Sequence, residues 1–463
     1  MPEVLIIGAG PAGLAAATAA RRAGARVVVL DAAEDVGGQY WRHLPQQRPA
    51  GREEVLHHGW ERFTGLRREL TGVEIVTGAQ VWLAERHDGR PPTVHILVGP
   101  ADGADRVRRV FDPGALVLAT GAYERTLPFP GWDLPGVFTA GAAQALAKSE
   151  RVAVGRRVLV AGAGPFLLPV ASSLIRTGAR VVGVLEAGGW SRLGRAWTAR
   201  PTELLSASHK AGELAGYARD LVRHRVPYRV ATGVIAAHGH DRVEEVTVAR
   251  LDAQWAPVPG TSRRVAVDAV CVGHGFVPRS ELAVAAGCQT GPDGTVVVDA
   301  DCRSSVPGVF AAGEITGIGG ADLALAEGTI AGTVAAGAAP TSAQRRDVLV
   351  YQRFATRLSD GHGIRPGWAE WLADDTLICR CEEVTAGELR DIAAATGSRG
   401  LRSLKLSTRA GLGVCQGRVC GRSVEELLDR TTGGLLDPGR TANRPLAGLV
   451  RLGELARTQG DPS

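Results

Sequence analysis

The chain repeats itself at domain scale. Val4-Leu5-Ile6-Ile7-Gly8-Ala9-Gly10-Pro11 returns 154 residues later as Val158-Leu159-Val160-Ala161-Gly162-Ala163-Gly164-Pro165. Each copy is a short apolar run, a glycine turn, an Ala/Leu-rich stretch and a second apolar run ending in an acid, Val27 to Asp31 and Val181 to Glu186. An unbroken apolar run suits a strand buried on both faces of a parallel sheet. Strand, turn, helix and strand, twice over, predict an α/β protein with two parallel-sheet domains.

The glycines of the first copy say what that turn is for. Gly8-x-Gly10-x-x-Gly13 follows a strand and opens a helix, and Asp31 ends the next strand. Gly8 permits the tight turn, Gly10 lets backbone approach a pyrophosphate, and Gly13 lets helix and strand pack closely. The pyrophosphate then rests on the free N–H groups of the helix start, and Asp31 accepts hydrogen bonds from the adenosine ribose. Both domains are therefore predicted as Rossmann-like. The second copy departs from the pattern, since Leu167 stands where Gly13 stands in the first. Glu186 is still expected to read a ribose and to disfavour a 2′-phosphate, which makes NAD or another nucleotide the candidate there.

Composition removes several classes. With 45 % hydrophobic residues and 61 glycines without collagen periodicity, the chain is neither disordered nor fibrous. A net charge of +5 gives no nucleic-acid reading. The N-terminus lacks a basic segment ahead of its apolar run, so no signal peptide is expected and the location is read as cytoplasmic, with a peripheral place at the inner membrane face left open. Val158 to Ile175 is uncharged for 18 residues, but Gly162, Gly164, Pro165 and Pro169 make it a strand meeting a turn rather than a membrane span.

Further along, Gly38-Gln39 follows Asp31, Thr120-Gly121 ends a strand from Ala115 to Leu118, and Gly313-Glu314 follows another. A helix is expected from Gly320 to Ala336, and residues 337–345 read as a linker. Residues 1–150 and 264–345 are assigned to a discontinuous first domain, and 151–263 to the second. A linker at 346–374, a small cysteine-rich domain at 375–435 and a polar tail at 436–463 complete the chain.

Seven cysteines in a reducing compartment are ligands, redox thiols or core residues before they are disulfides. Cys271, Cys288 and Cys302 stand alone in apolar or strand contexts. No C-x-x-C occurs, which excludes flavin-to-dithiol chemistry. The remaining four form Cys379-x-Cys381, 33 residues, then Cys415-x4-Cys420. Two close pairs make a four-thiolate pocket suited to a [2Fe-2S] cluster or to zinc, and a redox domain upstream favours the cluster. Arg380, Lys405, Arg409 and Arg418 lie near these ligands and are expected to screen the anionic centre. The histidines, among them His57, His58 and His274, read as surface or satisfied core residues.

Gly8 to Gly13, Asp31, Gly38, Gln39, Thr120, Gly121, Gly313 and Glu314 together resemble the glutathione reductase type of flavoprotein, in which the first site holds FAD. The resemblance implies that Glu314 approaches the FAD ribityl and pyrophosphate, and that the helix near Gly320 aims its N-terminus at the flavin pyrimidine edge. Cys379-Arg380-Cys381-Glu382-Glu383-Val384-Thr385 and Thr408 to Gly421 narrow the likeness, together with Pro130 to Phe138 and Gly313 to Leu323. They resemble the α subunits of heteromeric amino-acid and amine dehydrogenases, the D-hydroxyproline dehydrogenase, opine dehydrogenase and hydrogen cyanide synthase group, over residues 1 to about 430. That resemblance implies an electron-transfer subunit carrying FAD and [2Fe-2S]. An amino-acid-oxidase-like flavin subunit would supply the electrons, a small further subunit is a candidate partner, and a respiratory or other acceptor would take them. Whether FMN sits at a subunit interface stays open. The alternatives are a stand-alone NADH-dependent flavin and iron–sulfur reductase, and a non-enzymatic scaffold or sensor.

Overall fold

The computed structural model describes residues 3–45, 48, 51–103, 105–199, 209–433 and 446–456. The chain divides into two units, Met1–Ala122 with Val277–Thr356 and Ala442–Ser463, and Tyr123–Phe276 with Arg357–Thr441.

In the first unit the predicted strand, helix and strand are Glu3–Ile7, Pro11–Arg22 and Arg26–Leu30. The two strands pair in parallel, Val4 beside Val27 and Ile7 beside Leu30. They lie inside a five-stranded sheet ordered Val309–Ala311, Ala115–Leu118, Glu3–Ile7, Arg26–Leu30, Glu74–Val76. Both faces are covered, which is why these strands are apolar throughout. The helix Pro11–Arg22 packs on the expected helix, observed as Ala321–Ala335, with backbones almost touching: a Cβ on Gly328 would lie 2.1 Å from the Ala12 carbonyl oxygen, and one on Gly332 2.0 Å from that of Ala16. A smaller antiparallel sheet, Ala79–His87, Arg90–Val98 and Val107–Phe111, completes this unit.

The second unit repeats the plan beyond what the sequence disclosed. Its parallel sheet runs Val137–Thr139, Ala269–Gly273, Arg157–Gly162, Arg180–Glu186, Tyr228–Val230, matching the first strand for strand. A three-stranded antiparallel sheet, Thr232–His238, Glu245–Arg250 and Arg263–Ala266, again accompanies it. The stretch weighed as a membrane span is the strand Arg157–Gly162 and the helix Leu167–Arg176. Among the described residues no helix is long and apolar enough to cross a membrane.

Three boundary expectations are corrected. Val137–Thr139 and Ala269–Gly273, assigned by sequence to the first domain, are strands of the second sheet, because a strand far from its neighbours in sequence is placed only by its partners. Most of the supposed linker is ordered, as the helix Ser342–His362 and the turn Pro366–Trp371, with Trp368 and Trp371 buried in the core of the second unit. Within the supposed tail, residues 446–456 pack on the first unit. Leu446 bridges Leu83, Ala447 enters the core, and Glu454 receives two hydrogen bonds from the buried Arg106 at 2.7 and 2.5 Å. The rest of that tail lies outside the described residues.

Candidate functional site

In the first glycine turn the backbone leaves no room for side chains at Gly8 and Gly13. Gly8 takes φ +108°, and a Cβ there would lie 2.2 Å from the Ala119 carbonyl oxygen. A Cβ on Gly13 would come 1.7 Å from the Gly8 carbonyl oxygen, inside any possible contact. Gly38 turns its bare face to Gly10, where a Cβ would lie 2.8 Å from the Gly10 Cα. Gln39 beside it is exposed. The helix Pro11–Arg22 begins without a side-chain cap and without an acid in its first turn, so its N–H groups are open to an anion. Asp31 sits half-buried and accepts from the N–H of Ala9 at 2.5 Å and of Ala33 at 2.8 Å, fixing the carboxylate beside the turn. Thr120 hydroxyl donates to the Arg279 carbonyl at 2.7 Å, and the Arg279 N–H donates to the Gly121 carbonyl at 3.0 Å. This half-buried, glycine-lined turn with an adjoining acid fits the ADP half of FAD. Gly13→Ala is expected to lose flavin on purification, with the flavin-to-protein absorbance ratio as the measurement; retained stoichiometric flavin would count against this placement.

Glu314 shows the effect of its longer side chain. Its carboxylate accepts from the Gly320 N–H at 2.7 Å, at the N-terminus that the resemblance aims at a flavin. Burial pushes its carboxyl up to about 7, and the hydrogen bonds of Gly320 and Gly319 oppose that rise. A carboxyl raised above its ordinary value stabilises the fold at low pH, and this contribution is lost as pH rises through the folded value. Glu314 keeps part of its surface in solvent, so about 1–2 kcal/mol is expected rather than the full ~3 that the shift implies. The melting temperature of wild type relative to Glu314→Gln should fall between about pH 5 and about pH 8. A flat difference would refute the role. Behind it Glu327, also raised by burial, accepts from the Gly313 N–H at 2.9 Å and the Thr316 hydroxyl at 2.7 Å.

The second copy is built differently. Its helix starts at Leu167, two residues later than the first, after a first turn closed by short-range bonds such as Leu167 N–H to Gly164 carbonyl at 3.2 Å. Leu167 is buried against Gly273. Glu186 is wholly buried and accepts from the N–H of Gly164 at 2.9 Å and of Gly188 at 2.8 Å, with His362 Nδ1 at 3.2 Å. Asp31 is held by two backbone N–H groups in the same way, but Glu186 differs in being wholly enclosed and in meeting a histidine as well.

The four candidate ligand cysteines are brought together. Cys379 ends the strand Leu377–Cys379, which turns back through Arg380–Glu383 to pair with Val384–Thr385. Thr385 then starts the helix Ala386–Thr396 with a reciprocal cap from Glu388. The other pair lies in the loop after the helix Leu401–Thr408, and Cys420 opens the helix Gly421–Thr432. Cys379 and Cys420 are buried and within hydrogen-bonding reach, which holds the Cys379 thiol down to about 6. Cys381, which is exposed, faces Cys415 in the same manner. Among the described residues no three His, Cys, Asp or Glu side chains close round a single point as a one-ion site. The four sulfurs nonetheless form two pairs, the donor number and type that a [2Fe-2S] cluster takes.

The loops are shaped for this. Glu383, Arg409 and Gln416 hold left-handed conformations at φ 52°, 64° and 56°, costly for non-glycine residues. A Cβ on Gly413 would lie 2.2 Å from the Cys381 Cβ. Of the arginines expected to screen the centre, Arg409 donates to Glu382 at 2.7 Å and Arg380 lies over the Trp132 ring, 5.2 Å from its centroid. Their charges are thus partly spent locally.

Sequence reasoning missed what ties this small domain to the rest of the second unit. Buried Arg125 donates to the Ser423 hydroxyl at 2.8 Å and the Glu426 carboxylate at 2.9 Å, Trp368 Nε1 reaches Glu426 at 3.1 Å, and Trp132 Nε1 reaches the Leu377 carbonyl at 2.6 Å. These partners lie 58 to 301 residues apart, and no local pattern announces them. The lone cysteines are core residues, all three thiols pushed up by burial. The ring nitrogens of His57 lie 2.8 and 2.5 Å from the Glu53 and Arg42 carbonyls, whereas His274 is buried with Nδ1 unpartnered, and burial with nearby Arg125 pushes its value down to about 3.

A fold of paired dinucleotide-binding domains with a four-cysteine appendage defines a flavin oxidoreductase that carries a [2Fe-2S] domain. Residues 2–336 match the pyridine nucleotide-disulphide oxidoreductase family and residues 377–430 the BFD-like [2Fe-2S] binding domain, and the chain belongs to that family of FAD-dependent oxidoreductases. It is 33 % identical to a subunit of the opine oxidase of Agrobacterium tumefaciens over 98 % of this chain and 91 % of that one. It is also 33 % identical to the HcnB subunit of the hydrogen cyanide synthase of Pseudomonas aeruginosa, over 93 % of each. Among solved structures, L-proline dehydrogenase from P. horikoshii shares the fold at TM-score 0.66 and 21 % identity, over 98 % of this chain and 79 % of that one.

Proposed function

We propose that this chain is the electron-transfer subunit of a heteromeric dehydrogenase that oxidises an amino acid or related amine. FAD would sit on Gly8, Gly10, Gly13 and Asp31, with Gly38, Gln39, Thr120, Gly121, Gly313 and Glu314 around it. Cys379, Cys381, Cys415 and Cys420 would hold the [2Fe-2S] cluster. Bound FAD supplies a carrier of one or two electrons and the cluster a carrier of one. The observation that carries this reading is the pairing of four cysteine sulfurs in a flavoprotein fold that has no C-x-x-C. Nearly full-length relatives named as subunits of an opine oxidase and a hydrogen cyanide synthase support it.

In this reading the substrate is selected on a partner subunit resembling amino-acid oxidases, and the acceptor is respiratory or another carrier. The test is dye reduction with D-hydroxyproline, an opine or glycine, by this chain alone and by the chain co-purified with its partner. Activity is expected only from the complex. Robust turnover by the isolated chain would overturn the proposal.

A further inference from the structure

In a dinucleotide-binding domain the adenosine lies over the end of the second strand, beside its terminal acid and the segment that follows. In the second unit that corner holds the protein's own chain. The helix Ser342–His362 ends there, against the helix Trp190–Thr198 that follows Glu186. Arg192 caps that helix end, donating to the carbonyls of Asp360 at 2.6 Å, Gly363 at 3.0 Å and Ser359 at 3.3 Å, the last of which also accepts from the Gly363 N–H at 2.9 Å. Arg357 returns the grip, donating to the carbonyls of Ala196 at 2.7 Å and Trp197 at 3.3 Å.

His362 completes the seal. Trp197 Nε1 can only donate, so its 3.3 Å contact makes His362 Nε2 the acceptor and leaves the proton on Nδ1, which donates to Glu186 at 3.2 Å. The same side chain lies against the turn, since a Cβ on Gly164 would be 3.8 Å from the His362 Cβ. His362 thus stands beside both the glycine turn and the acid that supports it. Glu186, whose oxygens would meet ribose hydroxyls, is entirely shielded from solvent.

We infer that Ser359–Gly363 is a built-in occupant of the adenosine end of the second dinucleotide fold, with Glu186, Arg192 and Trp197 as its receptor, and that it excludes NADH and NADPH from this subunit. Entry of a nucleotide would require Glu186 to exchange its histidine for ribose and would strip Arg192 of three acceptors. Electrons then reach this chain from a donor other than a nicotinamide. The inference agrees with the electron-relay reading but stands on this corner alone.

The experiment uses the full-length chain with flavin loaded, so that the first site is filled, and titrates ADP and NADH by calorimetry, with the flavin band followed anaerobically. Wild type is expected to show no saturable binding and no bleaching by NADH. The double variant Arg192→Ala, His362→Gly is expected to gain ADP binding at least about tenfold over wild type, a difference of ~1.4 kcal/mol. A folded double variant as blind to ADP as wild type, or NADH binding by wild type, would overturn the inference. Should the variant not fold, amide exchange of wild type decides: unchanged protection of Gly164 and Gly188 on adding NADH supports it, and new protection refutes it. None of these outcomes involves a partner subunit, so failure here is distinguishable from failure of the electron-relay reading.

Discussion

Cys420→Ser is expected to yield a folded, flavin-containing chain with almost no iron, lacking the visible absorption and the reduced-state paramagnetic signal of a [2Fe-2S] centre. Cys420 is the most enclosed of the four along with Cys379, buried at the start of the helix Gly421–Thr432 and in contact with that second thiol. Serine keeps the shape but replaces a soft thiolate with a hydroxyl that binds iron weakly. The helix itself should persist, since serine is accepted at a helix N-cap, the place Cys420 holds. Gly413→Ala provides an independent test without touching a ligand. Its methyl would lie 2.2 Å from the Cys381 Cβ, so the hairpin carrying Cys381 or the loop carrying Cys415 must yield. Both variants should retain dithionite-reducible flavin while dye reduction by the complex falls to background. Full iron content in Cys420→Ser would remove that residue from the ligand set.

The contrast between those variants also shows what the sequence displays and what it conceals. Gly8, Gly13 and Gly38 are legible because a close backbone approach forbids a side chain, and the prohibition leaves a fixed spacing in the chain. The four cysteines are legible for a related reason, since few other donors suit a cluster. Gly413 is as necessary to the cluster pocket by geometry as Gly13 is to the nucleotide turn, yet it follows no spacing rule that would announce it. The closure of the second site is half legible. Leu167 shows that the turn is altered, but His362 lies 176 residues from Glu186, and a histidine at the end of an amphipathic helix has no local mark of its target. The supposed linker fails for a similar reason. Its mixed, largely polar composition suits a linker and an exposed helix equally, and only the buried Trp368 and Trp371 separate the two.

Arg125→Met is expected to lower stability by about 3 kcal/mol, the low end for a broken buried pair because Glu426 keeps some solvent contact. The arginine side chain is 3 % exposed, and burial pushes its value down while Glu426 opposes the shift, so its charge survives through that pairing. Methionine fills most of the volume but leaves Glu426 with Trp368 and a 3.5 Å contact from the more exposed Arg422, and Ser423 with only the Thr126 carbonyl at 3.2 Å. Because the lost partners lie on the helix that opens with Cys420, the defect should also loosen the cluster pocket and speed iron loss to a chelator. Glu426→Gln in the Arg125→Met background removes the poorly compensated charge and should recover about 1 kcal/mol, a coupling that denaturant midpoints for the four proteins of the cycle would measure. Purely additive changes would mean that packing by the arginine stem, rather than its charge, seats this domain. An Arg125→Met chain with wild-type stability and iron retention would show instead that Trp132, through its 2.6 Å bond to the Leu377 carbonyl, is sufficient to hold the cysteine domain in place.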